Sequence, residues 1–533
     1  MRAGVGAAGR RRGTAAGLAG AALLVAGAVL TPGGAYAQPS PAPGHSAGRG
    51  EDDDGQGGRR GDHGKAGPRT GESPSAGPAR RAEPPAGSAP AGSAPADGGS
   101  APVARPVPPA GAVLAAAEDG PQAAAPTAQG LQQALRSALA DRSLGTVTIA
   151  VADAADGRLL YGSGENTPAT PASTTKLATA VAALSLLPAD TRLATRVVRG
   201  STPGTVTLVG GGDPTLTALP ADQVQIGGQP VDADTAPASL EALARQTATA
   251  LKAAGTTTVQ LDYDLSMYTG SPQHRNHDAQ NIALVVPLMV DEAKADPRSR
   301  EEAPNRVADP AGAAADAFAA MLAAQGVTVE GKARPATAPA AADAPVLGKV
   351  ESPTLARLVE RLLTTSDNQL AEAIARQVAL AAHQPAGFEG AATAVTRQLA
   401  ALGVPMTGVV LDDGSGLHPD DRIPPAVLVR LLALAASDQH PELRPVLTGL
   451  PVAGFSGTLD RRYGTGSGAA DAAGLIRAKT GTLSGVNTLA GTVVDADGRL
   501  LLFAVMTRTS ASADTARAAM DRIAARLAAC GCH

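Results

Sequence analysis

Pro171-Ala172-Ser173-Thr174-Thr175-Lys176 is the stretch on which the reading of this chain turns. Pro168 and Pro171 place the start of a helix at about Ser173, running to about residue 187. Helical residues three apart share a face, so the Lys176 amine can reach the Ser173 hydroxyl. A serine hydroxyl is a poor nucleophile until an adjacent base takes its proton. A lysine can be that base when burial or a neighbouring cation favours its neutral form. Taken alone, the same residues also describe a helix N-cap serine with a solvated lysine one turn later.

Two more short motifs follow, each occurring once in the chain. Ser366-Asp367-Asn368 comes after a helix expected over residues 355–363. From a loop, Ser366 could relay a proton to a leaving amine and Asn368 could hold a substrate amide oxygen; alone, the triplet is a capping turn. Lys479-Thr480-Gly481-Thr482 lies on a strand expected to begin near Leu475. Gly481 would let a ligand approach that strand closely. Lys479, Thr480 and Thr482 would offer a cation and hydroxyls to its carboxylate. Alone, this is a strand with a glycine bulge.

Around these motifs the pattern is α+β. Residues 131–140 read as an amphipathic helix, and 146–152 with 158–161 as a strand pair. At the other end, 488–495 and 499–506 form a hairpin across Ala496-Asp497-Gly498, and a long helix over 513–529 closes the chain. Terminal helices with an antiparallel sheet between them predict a domain whose two ends meet. Catalytic segments are expected at 128–195 and 351–533. Residues 196–350, rich in Thr/Val strand fragments with one clear helix near 313–325, read as inserted smaller domains.

The 533 residues carry 45 Lys+Arg against 49 Asp+Glu, a balance that lacks the basic patch of a nucleic-acid partner. Only seven of the cations are Lys, so Lys176 and Lys479 draw attention. Arg2 and Arg10 to Arg12, an apolar run over 15–30 and Ala35-Tyr36-Ala37 form an export signal over 1–37. That run is short for a membrane span, leaving at most peripheral or N-terminal membrane association. Residues 38–127 hold 16 of the 42 prolines and read as an extended, disordered tether. The two cysteines, Cys530 and Cys532, suit a short terminal disulfide in an exported protein. They cannot make a zinc site unaided, and His274 and His277 read as loop residues, so no metal is expected.

S-x-x-K, S-D-N and K-T-G in this order are the set found in active-site serine β-lactamases and penicillin-binding proteins. Ser173 and Ser366 are 193 residues apart, and Ser366 and Lys479 are 113 apart. The long first gap resembles the low-molecular-mass class C penicillin-binding proteins, the D-alanyl-D-alanine carboxypeptidase/endopeptidase family, which nest extra domains there. Gly210-Gly211-Gly212-Asp213-Pro214-Thr215-Leu216, Asp413-Gly414-Ser415-Gly416-Leu417 and Leu450-Pro451-Val452-Ala453-Gly454 with Gly457-Thr458-Leu459 also look like that family. His418 stands where the family often has Ser.

The resemblance implies a serine β-lactamase/transpeptidase-like domain, an antiparallel sheet flanked by helices. It implies acylation of Ser173 by the penultimate D-Ala carbonyl of peptidoglycan stem peptides, with Lys176 as base and Ser366, Asn368 and Lys479 around it. Thr480, Gly481 and Thr482 would bind substrate, and the amides of Ser173 and Thr482 would form the oxyanion hole. β-Lactams would acylate the same serine, with no metal or cofactor, outside the cytoplasm at the cell wall or outer membrane face. Two rivals share the motifs. A secreted β-lactamase of class A adds an E-x-x-L-N loop between the second and third motifs, and Glu372, Glu389 and Glu442 do not begin one. A non-catalytic wall-binding scaffold of the same fold would escape labelling by a fluorescent penicillin.

Overall fold

A computed structural model describes residues 123–533 except Gly227, Ala279 and Glu302. The expected signal over 1–37 and nearly all of the expected tether lie outside the described residues. The last tether residues do not hang free. Pro126 is buried, and Thr127 N donates to Cys532 O at 2.7 Å, so the packed part already includes residues 126 and 127. Cys530 and Cys532 are joined as a disulfide.

The first and last thirds of the described chain share one five-stranded antiparallel sheet. Its order is Ile476–Leu483, Val486–Val494, Leu500–Arg508, Thr146–Asp153, Leu159–Ser163. The chain ends meet as expected: Ala150 pairs with Ala504 in the middle of the sheet. Strand side chains alternate between faces, and here both faces are covered. Ile149, Val151, Phe503 and Val505 pack beneath the terminal helices Ala128–Leu139 and Ala513–Ala528. Ala150, Ala504 and Ala490 point the other way, toward the helix Thr175–Leu186 and its neighbours.

That second face explains how the site is brought together. One register row reads Lys479, Ala490, Ala504, Ala150. Three small side chains let a helix lie close to the sheet, and the same row ends in a lysine at the edge strand. The helix Thr175–Leu186 is buried on nearly every side, with Leu177, Val181 and Leu184 in the core. It carries few polar residues because helices Leu355–Thr365, Asn368–Ala381, Phe388–Ala401 and Pro425–Ala436 surround it. Each mutual burial of a Leu or Val there is worth about 1.5–3 kcal/mol.

Between the helix Thr175–Leu186 and the helix Leu355–Thr365 the chain leaves to build a second sheet. Leu193 N donates to Ser352 Oγ and Ser352 N to Leu193 O, both at 2.9 Å, so exit and return share one seam. The order is Val346–Glu351, Ala194–Arg199, Thr205–Val209, Thr258–Asp264, Thr328–Val329, with Arg334–Pro335 also paired to Thr258–Asp264. Helices Leu240–Ala253 and Pro310–Ala324 cover it through Leu243, Leu251 and Phe318. The first of these was not anticipated, although Ser239 caps it by accepting from Ala242 N. The stretch 265–309 is largely irregular and runs back over the helical region.

Candidate active site

Ser173 lies in a 3-10 turn, Ala172–Thr174, immediately ahead of the helix Thr175–Leu186. Ala172 adopts φ +47°, a left-handed conformation uncommon outside glycine. Gly416 explains why that turn is tolerated, since a Cβ there would sit 1.9 Å from Ala172 O. Ser173 does not act as a side-chain cap. Instead Lys176 Nζ lies 2.9 Å from Ser173 Oγ, 2.8 Å from Asn368 Oδ1 and 2.7 Å from Ser415 O. Lys176 is fully buried.

Ser366 ends the helix Leu355–Thr365 with φ +61°, and Asp367 caps the next helix, Asn368–Ala381, by accepting from Leu370 N at 2.8 Å. The triplet is thus a capping turn and a part of the site at once. Lys479 Nζ donates to Ser366 Oγ at 2.8 Å and to Thr480 O at 2.8 Å. Asn368 uses both ends of its amide: Oδ1 accepts from Lys176, and Nδ2 donates to Asn281 O at 3.0 Å. Its Oδ1 therefore orients Lys176, while Nδ2, which carries two hydrogens, spends one of them on Asn281 O.

One expectation for the third motif changes. Strand alternation puts Lys479 and Thr480 on opposite faces, so Lys479 is turned to Ser366 and not beside the threonines. Arg517 of the C-terminal helix supplies the cation there, donating from Nη2 to Thr482 Oγ1 at 3.0 Å. Thr480 Oγ1 shares a hydrogen bond of 2.7 Å with Thr458 Oγ1. Gly481 makes room for the protein's own backbone: a Cβ would meet Thr488 Oγ1 at 2.2 Å, Pro171 O at 2.8 Å and Ser173 N at 2.9 Å. Together Ser173, Ser366, Thr480, Gly481, Thr482 and Arg517 line one open cleft. All eight predicted site residues meet at or just behind it. Ser415, Thr458 and Arg517 were missed as contributors, although Ser415 and Thr458 lie in stretches that carried the resemblance.

Behind Lys176 lies a buried polar layer. Asp413 accepts from Ser415 N (3.0 Å), Gly416 N (2.6 Å), His418 N (2.7 Å) and His274 Nε2 (2.9 Å). His274 is thus a buried partner of this loop and not a bystander; His418 joins through its backbone amide. Glu372 accepts from Gly414 N at 3.0 Å and pairs with Arg376 at 3.1 Å. Burial raises the Glu372 carboxyl above its usual range; at Asp413 burial is outweighed by hydrogen bonds from His274 and from the Gly416 and His418 amides, which hold that carboxyl below its own. His274, Glu372 and Asp413 bring potential metal-ligand atoms together, and Arg376 already occupies the carboxylate side of that group.

Asp421, which accepts from Asp412 N at 2.7 Å, is pushed up to about 9 by burial and by the Asp413 charge. Its ordinary value is 3.8, so between those limits the folded state holds a proton that the unfolded chain has lost. Stability from this group is therefore fully present below about pH 4 and lost as pH rises toward about 9. Asp421→Asn has no such proton. Its melting temperature should fall less than that of the parent between pH 5 and pH 8. An identical pH slope in the two proteins would refute the assignment.

The D-Ala-D-Ala carboxypeptidase 3 (S13) family matches residues 131–303 and 288–527. A carboxypeptidase DacB of Mycolicibacterium smegmatis is 36% identical over 414 residues, covering 76% of this chain and 85% of the relative. A D-alanyl-D-alanine carboxypeptidase of Actinomadura sp. is 30% identical over 461 residues, covering 75% and 84%. The crystal structure of penicillin binding protein 4 from Haemophilus influenzae shares the fold, with a TM-score of 0.58 at 20% identity, covering 75% of this chain and 98% of that one. The match spans both halves of the catalytic sheet and the insertion between them: this chain belongs to the D-Ala-D-Ala carboxypeptidase 3 (S13) family.

Proposed function

We infer that this protein is a serine D-alanyl-D-alanine carboxypeptidase, acting through an acyl-enzyme on peptidoglycan stem peptides, able also to split cross-links, and acylated by β-lactams. The observation that carries the reading is the set of partners around Lys176 Nζ. A neutral amine has two N–H groups and one lone pair. Asn368 Oδ1 and Ser415 O can only accept, so they take both hydrogens. In that form the lone pair faces Ser173 Oγ at 2.9 Å.

In this reading Ser173 Oγ attacks the carbonyl carbon of the penultimate D-Ala while its proton passes to Lys176 Nζ. The backbone N–H groups of Ser173 and Thr482 hold the resulting oxyanion. The carbon–nitrogen bond then breaks, and the leaving nitrogen takes a proton by way of Ser366, whose oxygen is held by Lys479. Water, giving a proton to Lys176, adds to the ester carbonyl; the ester opens, the shortened peptide leaves and Ser173 is restored. A β-lactam follows the first half of this course, its leaving nitrogen remaining attached. The export signal over 1–37 and the proline-rich tether behind it support action outside the cytoplasm, at the cell wall or outer membrane face. Among the described residues no helix is long and apolar enough to cross a membrane.

Thr480, Thr482 and Arg517 are assigned to the free carboxylate of the terminal D-Ala. The test is release of D-Ala from a peptide ending in D-Ala-D-Ala, compared with the same peptide amidated at its C-terminus. Losing a charge-assisted bond of about 1.5–3 kcal/mol should lower kcat/KM for the amide about ten- to a hundredfold. Thr480→Val should discriminate much less. No D-Ala release from the acid would remove the function, and equal losses in parent and variant would remove Thr480 from the carboxylate site.

A further inference from the structure

We propose that the inserted region aims the Lys176 lone pair, and that His274 is the positioning residue through which it does so. The inference rests on the reading of Ser173 as nucleophile and Lys176 as its base. Both acceptors that consume the Lys176 hydrogens are themselves held by one arm of the insertion. Val285 N closes that arm on Pro272 O at 2.8 Å.

The first acceptor is Ser415 O. A backbone carbonyl points where its loop points, and this loop is folded around Asp413, which gathers the amides of Ser415, Gly416 and His418. The Asp413 carboxylate is in turn fixed by His274 from the arm, 139 residues away in sequence. His274 Nδ1 accepts from Asn276 N at 3.0 Å, so the ring's hydrogen is on Nε2, where it donates to Asp413 Oδ2 at 2.9 Å. Phe388 stacks edge-on against the ring at 5.1 Å, and the ring is 2% exposed, so it has a single seat. Asn276 Nδ2 adds a second link to the same loop, donating to Leu417 O at 3.0 Å.

The second acceptor is Asn368 Oδ1. An amide side chain can turn end for end, and only one orientation offers oxygen to Lys176. Asn281 O, seven residues after His274 on the arm, accepts from Asn368 Nδ2 at 3.0 Å and selects that orientation. The insertion therefore fixes, from one side, the two groups that decide where the base directs its lone pair. Displacing a reacting group by about 1 Å can cost on the order of a hundredfold in rate.

The measurement is the rate constant for acylation by a fluorescent penicillin, with kcat and KM on a D-Ala-D-Ala peptide and a melting curve for each protein. His274→Leu removes the donor, and we expect acylation and kcat to fall about ten- to a hundredfold with KM within about twofold. His274→Gln returns an N–H to Asp413 and should recover to within about threefold of the parent. A folded His274→Leu that acylates at the parental rate overturns the proposal, as does a His274→Gln no faster than His274→Leu. Should His274→Leu not fold, Asn276→Ala decides. Asn276 is exposed, so this variant keeps the fold. Its kcat should fall about three- to tenfold at unchanged KM, and a parental kcat overturns the proposal. A parent that takes up no penicillin would instead sink the reading of Ser173 and Lys176.

Discussion

Lys176→Met lowers penicillin acylation and D-Ala release by about 10²–10⁴-fold, the usual contribution of a positioned general base. Methionine matches the length and buried volume of the lysine stem, so the turn at Ser173 keeps its shape. The variant leaves Asn368 Oδ1 and Ser415 O without the hydrogens they accept now. Each unsatisfied acceptor costs about 1–3 kcal/mol, so the melting temperature should drop as well. Rates are therefore compared per folded molecule. A variant that acylates within about tenfold of the parent would mean that another group takes the Ser173 proton.

The second large effect is expected at Gly481. An added Cβ at this position would lie 2.8 Å from Pro171 O and 2.9 Å from Ser173 N, both backbone atoms that cannot turn aside. Thr488 Oγ1, at 2.2 Å, is itself pinned by its hydrogen bond to Pro171 O. Gly481→Ala must therefore push the strand away from the nucleophile turn. Overpacking of this kind costs about 1–3 kcal/mol of stability. Separating the strand from Ser173 should lower kcat/KM about a hundredfold or more. The check is kcat/KM on the D-Ala-D-Ala peptide together with a melting curve. Parental kcat/KM in a folded variant would show that strand and turn are not tightly coupled.

Much of this architecture was legible because its signals are local. The helix before Ser366, the terminal hairpin and the closing helix follow from apolar periodicity and turn residues within short windows. The three motifs sit on the helix start, the capping turn and the strand that their neighbours predict. What escaped the sequence depends on contacts between distant residues. His274 and Asp413 are 139 positions apart and Asn281 and Asn368 are 87 apart, so no local pattern links them. Arg517 reaches Thr482 across 35 positions from a helix whose arginines look alike in sequence. Gly481 was assigned to ligand approach because a strand glycine signals close contact without naming the partner. The structure adds one partner, the backbone at Ser173, and also places Gly481 in the lining of the cleft. A lone amide in the sequence gives no hint that Asn368 also orients Lys176 through Oδ1 and is itself held by Asn281 O.

Locating a penicillin adduct decides whether Ser173 is the acylated nucleophile. The protein is treated with a penicillin, digested, and the adduct located by mass spectrometry, with Ser173→Ala treated in parallel. A single penicilloyl group is expected on the peptide carrying Ser173, and none on the folded variant. An adduct on any other residue, or one that persists in Ser173→Ala, would contradict it.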